Sequence, residues 1–352
     1  MSSGFSRGDR IPDIERLDQA GKPRMLYDLQ KGQPILLMIF DDPEATDTRT
    51  VLSMLARDDP DWAQITRVAL IQSTPAQCRN LMDAASNNLT VLMDDGAVVT
   101  YLLGPESVAP RPIAAFAMDA NFRVIERIEY GTDESLDAFM RQLKAVYKNT
   151  APPNSKILEQ QAPVLFIPRV LEISKCDELI EFFNKEGGQP SGIAHIEDNK
   201  IRWQPDPSVK MRRDVYMKDG RLLDSVKELL ARRALPEIKR CFNFQVTQHE
   251  VFKLVCYDAQ TGGYFRPHRD NESRDTQHRR FAMTLNLNTG DYAGGQLRFP
   301  EFGTDMYQPE RGGALIFSCA LLHEVIPVTT GERYVLLGFF FGDADKMQVM
   351  QY

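Results

Sequence analysis

Two imidazoles and a carboxylate, His268, Asp270 and the much later His323, are the residues best suited to chemistry in this chain. Such a set can hold a ferrous ion by one face and leave the other coordination positions to a co-substrate and dioxygen. His268 and Asp270 stand two residues apart, so on an extended strand both point to one face and Arg269 faces away. His323, within Leu321-Leu322-His323-Glu324-Val325, must then arrive from a distant strand. Arg333 follows the turn Thr329-Thr330-Gly331-Glu332 and is expected across a hairpin from His323. Its guanidinium can clamp the far carboxylate of a dicarboxylate co-substrate with paired hydrogen bonds. The plainer alternatives are satisfied polar histidines and a surface ion pair of Arg333 with Glu332 or Glu324.

The elements that must position these residues fall into two halves. In the first, strand-like runs at 34–40, 67–71, 89–93, 113–118 and 124–128 alternate with helical patterns at 75–86 and 134–147, which suggests a small α/β domain. Residues 149–155, with paired prolines and small polar side chains, break the last helix and read as a linker. Beyond it, helices are expected at 175–185 and 221–241. From Phe244 onward the pattern is all-β: 244–247 through Tyr257, then 281–287, 296–299, 314–317 and 334–341, punctuated by glycine pairs. Helices followed by many short strands fit a double-stranded β-helix, or jelly roll, with supporting helices. The expected domains are 1–148, a linker at 149–162, and 163–352.

The chain has 352 residues, 43% hydrophobic and 26% charged, enough for two cores in an ordinary globular protein. A net charge of −7 argues against a nucleic-acid partner bound by broad phosphate neutralisation, although a local basic patch survives this test. No apolar run reaches membrane-span length, and the polar N-terminus lacks the apolar core of a signal peptide. Five cysteines without CxxC pairing read as a reducing, cytoplasmic chain.

The residues Tyr257-x4-Gly262-Gly263-x-Phe265-x-x-His268-x-Asp270, Thr284-Leu285-Asn286-Leu287, Gly294-Gly295-Gln296-Leu297-x-Phe299, Gly313-x-Leu315-x-Phe317 and His323-x-Val325-x-Pro327-Val328-x-x-Gly331-x-Arg333 resemble the prolyl 4-hydroxylase-like family of Fe(II)/2-oxoglutarate oxygenases. The resemblance covers most of 163–352. It implies a jelly roll with His268, Asp270 and His323 on iron and Arg333 on 2-oxoglutarate, where many members carry lysine. It also implies that Tyr257 contacts the co-substrate, for which a core tyrosine is the alternative. Thr284 and Asn286 share a strand face and can line the pocket. The implied reaction is a dioxygenase hydroxylation of an unactivated carbon on a small molecule, amino acid or peptidyl side chain. It consumes O2 and 2-oxoglutarate and releases succinate and CO2, with ascorbate as the reductant in many relatives.

Other residues are read more openly. The charged run 271–280 is a solvated loop or a lid in which Arg279 or Arg280 meets an anionic substrate. Lys210, Arg212, Arg213 and Asp214, within 208–217, are candidates for an entrance edge. His195, His249 and His278 have no partner at ligand spacing. The first half resembles a thioredoxin-like, peroxiredoxin-related domain through Gly8-Asp9-x-x-Pro12, Phe40-Asp41-Asp42-Pro43 and Arg111-Pro112-Ile113. Where the reactive cysteine belongs, the chain reads Asp41 to Thr48 without one, and Cys78 lies elsewhere. This domain is therefore expected to serve structure, homodimer formation or substrate presentation. A catalytically silent 2-oxoglutarate or iron sensor and a Cys78-dependent thiol peroxidase are the rival functions.

Overall fold

The computed structural model describes residues 4–29, 32–74, 88–104, 113–131, 135–148, 157–197, 200–218 and 220–345. The chain separates into two compact units, Met1–Ser155 and Lys156–Tyr352.

In the first unit, Ile35–Phe40 and Ile113–Met118 are apolar without alternation, the pattern of strands covered on both faces. They lie inside a seven-stranded mixed sheet. Its order is Pro23–Met25, Glu15–Asp18, Leu89–Asp94, Thr66–Gln72, Ile35–Phe40, Ile113–Met118 and Val124–Glu129. Leu36, Met38 and Phe40 pack on one side with residues of the helices Thr46–Ala56 and Leu136–Tyr147. Ile35, Leu37 and Ile39 pack on the other, with the helix Ala97–Leu103. The sequence reading missed both short helices and the edge hairpin Glu15–Asp18/Pro23–Met25, whose mixed polar residues carry little periodicity. The expected helix 75–86, Cys78, Arg111, Pro112 and residues 149–156 of the linker lie outside the described residues. In the cysteine-free stretch Asp41 to Thr48, Thr48 is buried and its hydroxyl donates to the carbonyl of Asp42 at 2.7 Å.

The second unit is built on two facing antiparallel sheets. The larger runs Leu165–Ile167, Ala314–Ser318, Phe281–Asn286, Glu332–Phe341, Lys253–Asp258, Arg213–Tyr216 and Gln189–Pro190, with Gln248–His249 also paired to Glu332–Phe341. The smaller runs Lys210–Met211, Tyr264–His268, His323–Val325, Leu297–Arg298 and Met306–Tyr307. Strand side chains alternate between faces. Leu254, Cys256, Met283, Leu285, Leu336 and Phe340 therefore bury outward among residues of the helices Ile173–Glu186, Arg221–Arg233 and Leu235–Phe242. Val255, Tyr257, Ala282 and Val335 turn inward and pack with Leu297 and Val325 from the smaller sheet and with Phe299 just beyond its strand Leu297–Arg298.

Two expectations for this half need correction. The helix anticipated over 221–241 is two helices, broken at Ala234, with Pro236 in the first turn of the second. Proline has no N–H for the preceding helix and fits a first turn, so it starts a new helix. Residues 244–247 form no strand; Phe244 and Val246 instead bury against the helical layer, and pairing begins at Gln248–His249. Among the described residues no helix is long and apolar enough to cross a membrane.

Leu336 is 0% exposed at the centre of the outer core. Leu336→Ala is expected to cost about 2–5 kcal/mol, seen as a lower urea midpoint in an unfolding titration.

Candidate metal centre and its cavity

The smaller sheet brings the two histidines together. His268 ends the strand Tyr264–His268, His323 begins the strand His323–Val325, and the two are in register as antiparallel partners. Asp270 lies beyond the strand end, in a turn rather than on the extended segment the spacing suggested. Its N–H donates to the carbonyl of Cys319 at 2.9 Å, and its own carbonyl accepts from Arg279 Nη1 at 3.1 Å. The carboxylate therefore still points to the histidines: Oδ1 is 3.5 Å from His268 Nε2, and Oδ2 is 3.3 Å from His323 Nε2. One ligand atom from each of the three residues lies within 4.8 Å of the others.

Hydrogen bonding sets the imidazole tautomers. His268 Nδ1 is 2.8 Å from the carbonyl of Arg266, and His323 Nδ1 is 3.0 Å from that of Leu321. A carbonyl only accepts, so each Nδ1 carries the proton and each Nε2 turns a lone pair toward the shared point. Burial works to raise the Asp270 carboxyl, but His323, His268 and Arg279 outweigh it and hold it well below the usual carboxylate range. Burial likewise pushes His323 down, against the pull of Asp270. Both shifts favour the protonation states that metal binding needs.

Arg333 comes from the other wall. It lies on the larger sheet opposite Tyr257 in register, so it faces the histidines across the gap between sheets and not across a hairpin. It is 3% exposed, and neither Glu332 nor Glu324 pairs with it: Glu332 meets Arg213 at 2.7 Å, and Glu324 meets Arg298 at 2.6 Å. Its Nη2 donates to Thr284 Oγ1 at 3.3 Å and Asn286 Oδ1 at 3.1 Å, while Nε is buried with no partner among the described residues. Gly295 leaves room for this side chain; a Cβ there would stand 2.8 Å from Arg333 Cδ, on a backbone with φ +71°. Tyr257 is also buried, and its hydroxyl oxygen accepts from Arg212 Nη1 at 3.2 Å, leaving its own proton available.

These walls enclose a cavity of about 360 Å³ that includes His268, Asp270, His323, Arg333, Tyr257 and Thr284 in its lining. Phe265 stacks on His268 with ring centroids 3.4 Å apart. Residues 272, 273, 276 and 279 of the charged run border the same space. The run's arginines are already engaged. Arg279 makes two bonds to Glu250, at 2.6 and 2.8 Å, and Arg280 pairs with Asp345. Neither is a free anion receptor, and Arg280 is not part of the lining. Arg269, expected to face away, borders the cavity, with its guanidinium held by Glu301 at 2.7 Å. His278 pairs with Glu250 and His249 is exposed, while the side chain of His195 lies outside the described residues.

Residues 252–341 match the model of the 2OG-Fe(II) oxygenase superfamily, a span that contains His268, Asp270, His323 and Arg333. The second unit carries a 2OG-Fe(II) oxygenase domain. The chain is 29% identical over 191 residues to the multifunctional procollagen lysine hydroxylase and glycosyltransferase LH3 of Rattus norvegicus, a match covering 52% of this chain and 24% of that protein. It thus spans about a quarter of the length of that relative. A prolyl-4-hydroxylase structure from Pseudomonas putida is similar at 19% identity and TM-score 0.39, covering 51% of this chain and 93% of that one. Peroxidoxin BcpB from Mycobacterium tuberculosis is similar at 19% identity and TM-score 0.36, over 40% of this chain and 96% of that one.

Within the oxygenase domain, Thr284 and Tyr257 line the cavity as expected, whereas Asn286 bonds Arg333 without being part of the lining. Sequence reading missed Gly295 as the clearance for Arg333 and Phe265 as the ring against His268. A glycine in a turn pair gives no sign of which side chain passes beside it. Asp270→Asn keeps the shape but weakens a ligand. Titration with Mn(II), followed by electron spin resonance, should show an affinity loss at or beyond the roughly 10–100-fold cost of losing an outer partner.

Proposed function

We propose that the protein is an Fe(II)- and 2-oxoglutarate-dependent dioxygenase whose second unit is a double-stranded β-helix. It hydroxylates an unactivated carbon of a small molecule, amino acid or peptidyl side chain, with release of succinate and CO2. The observation that carries this reading is Arg333: a buried guanidinium without a carboxylate partner among the described residues, on the wall facing an N2O ligand set. Burying such a cation unpaired is costly, and a dicarboxylate reaching across the cavity removes that cost.

In this reading His268, Asp270 and His323 hold the iron, which when bound supplies the dioxygen chemistry that side chains lack. Arg333 takes the far carboxylate of 2-oxoglutarate through Nε and the remaining face of Nη1 and Nη2. Thr284 and Asn286 keep its plane fixed, and Tyr257 offers its hydroxyl proton to the same ligand. Phe265, Phe317, Leu337 and Phe339 make the surrounding wall apolar, so that the reacting groups meet little water. Similarity to a procollagen lysine hydroxylase supports hydroxylation as the outcome. A stimulation by ascorbate and a cytoplasmic setting belong to the same proposal. The first unit is read as a redoxin-like domain without its thiol, serving structure, pairing of two copies or substrate presentation. Its described residues contain no cysteine, and Cys78 lies outside them.

The experiment is turnover of 2-oxoglutarate to succinate by the iron-loaded chain. His268→Ala should abolish it, and normal turnover in that variant would sink the assignment. Arg333→Ala should raise the KM for 2-oxoglutarate roughly 10- to 150-fold, the loss of about 1.5–3 kcal/mol from a charged hydrogen bond. Arg333→Lys should lose less, since the charge remains. Tight binding of 2-oxoglutarate without decarboxylation across substrate panels would favour the silent sensor instead.

A further inference from the structure

The oxygenase cavity is basic although the chain is acidic. Lys210, Arg212, Lys253, Arg269, Arg279 and Arg333 line it against two carboxylates, Asp270 and Glu272, while the chain carries −7. Most of these cations are accounted for. Arg269 and Arg279 are held by Glu301 and Glu250, and Arg212 is held by Asp214 at 3.0 Å. Arg333 belongs to the co-substrate in the reading above. Lys210 and Lys253 remain, and among the described residues neither ammonium has a carboxylate within ion-pair reach.

Both lysines sit where an apolar side chain would pack more cheaply. Lys210 is 9% exposed, with its ammonium 5.2 Å from the centre of the Phe265 ring. Arg212 lies 5.3 Å from the centre of that ring, which is the one stacked on His268. Lys253 shares the inward face of its strand with Val255 and Tyr257 and stands 5.0 Å from the centre of the Tyr216 ring. Burial, reinforced by Arg212 and Lys253, pushes Lys210 down to about 7, and burial lowers Lys253 as well. The aromatic contacts recover only part of that cost. The same lysines and Arg212 also line an adjoining cavity of about 420 Å³, where Lys218 joins them against the two carboxylates Glu186 and Asp214. The basic lining therefore extends beyond the metal cavity.

We propose that Lys210 and Lys253 form an acceptor site for a carboxylate on the substrate, so that the molecule oxidised beside His268 is acidic. This rests on the oxygenase reading and narrows its substrate class. A free acidic amino acid and an aspartyl or glutamyl side chain of a peptide present the same group. An incoming carboxylate supplies the missing counter-charge and favours the ionised form of both lysines. Arg212, kept by Asp214 and by the Tyr257 hydroxyl, closes the side of the site nearest the co-substrate.

The test uses the full chain loaded with Mn(II) and saturated with 2-oxoglutarate, which together bind without turning over. Calorimetry then compares L-aspartate with L-asparagine, and N-acetyl-L-aspartate N-methylamide with its asparagine counterpart. At least one acid should bind about tenfold or more tighter than its amide, as charged hydrogen bonds require. Preference within the first pair points to the free amino acid, and within the second to a peptide. Lys210→Gln and Lys253→Gln should each erase most of the preference, and Lys210→Arg should restore part of it. Affinity for 2-oxoglutarate should stay within about twofold throughout, which separates this site from Arg333. Lys210→Met should match or exceed the parent melting temperature, because an unpaired buried ammonium is removed; a lysine holding the fold together would lower it. No acid preference in either pair, a preference that survives both glutamine variants, or a loss of 2-oxoglutarate affinity in them would overturn the proposal. Failure of the parent chain to bind 2-oxoglutarate would instead bring down the oxygenase reading on which it stands.

Discussion

A cross-strand register governs the second unit. His268 and His323 are far apart in the chain, yet the antiparallel pairing of two short strands sets them side by side. A β-bulge interrupts the ladder between Phe265 and His268, so both side chains reach the cavity although they stand three residues apart. Slipping the pairing by one residue would turn an imidazole to the opposite face. The pairing is reinforced at Phe265, opposite Val325, and by Leu297 on the next strand. Backbone carbonyls two residues before each histidine then fix which nitrogen carries the proton. Position and protonation state of the two imidazoles thus both follow from the ladder.

The larger sheet divides its labour by face. Its outward residues are almost wholly apolar and anchor three helices, which keeps the sheet rigid without using any inward position. Its inward face mixes apolar residues such as Val255, Ala282 and Val335 with polar ones, and Lys253, Tyr257, Thr284, Asn286 and Arg333 stand on three neighbouring strands of that face. Each of these polar groups costs stability when buried. Their concentration opposite the imidazoles, inside an otherwise well-packed unit, is what marks this wall as a binding surface.

What the sequence made legible follows from the same physics. Strong periodicity exposed the long elements: the apolar runs of the first unit, the helix Leu136–Tyr147, and the strands Phe281–Asn286 and Glu332–Phe341 all lie close to their expected bounds. Short polar elements such as Glu15–Asp18 and Arg213–Tyr216 have too few residues for a pattern to rise above composition. The spacing of His268 and Asp270 suggested one strand face. In the structure a turn performs the task, because a hydrogen bond to Cys319 from beyond the strand end directs the carboxylate equally well. The partners of Arg279, Arg280 and Arg269 were out of reach of any spacing argument, since each acid lies on a different element. So was the absence, among the described residues, of a carboxylate partner for Lys210.

Asp270 and the segment that follows it share one fastening. Arg279 grips Glu250 with two bonds and, through Nη1, the main-chain oxygen of Asp270. The ten residues between Asp270 and Phe281 are consequently tied at both ends to the residue that completes the ligand set. Displacing this stretch would pull on the main chain of Asp270 and, through it, on the position of the carboxylate beside the two imidazoles.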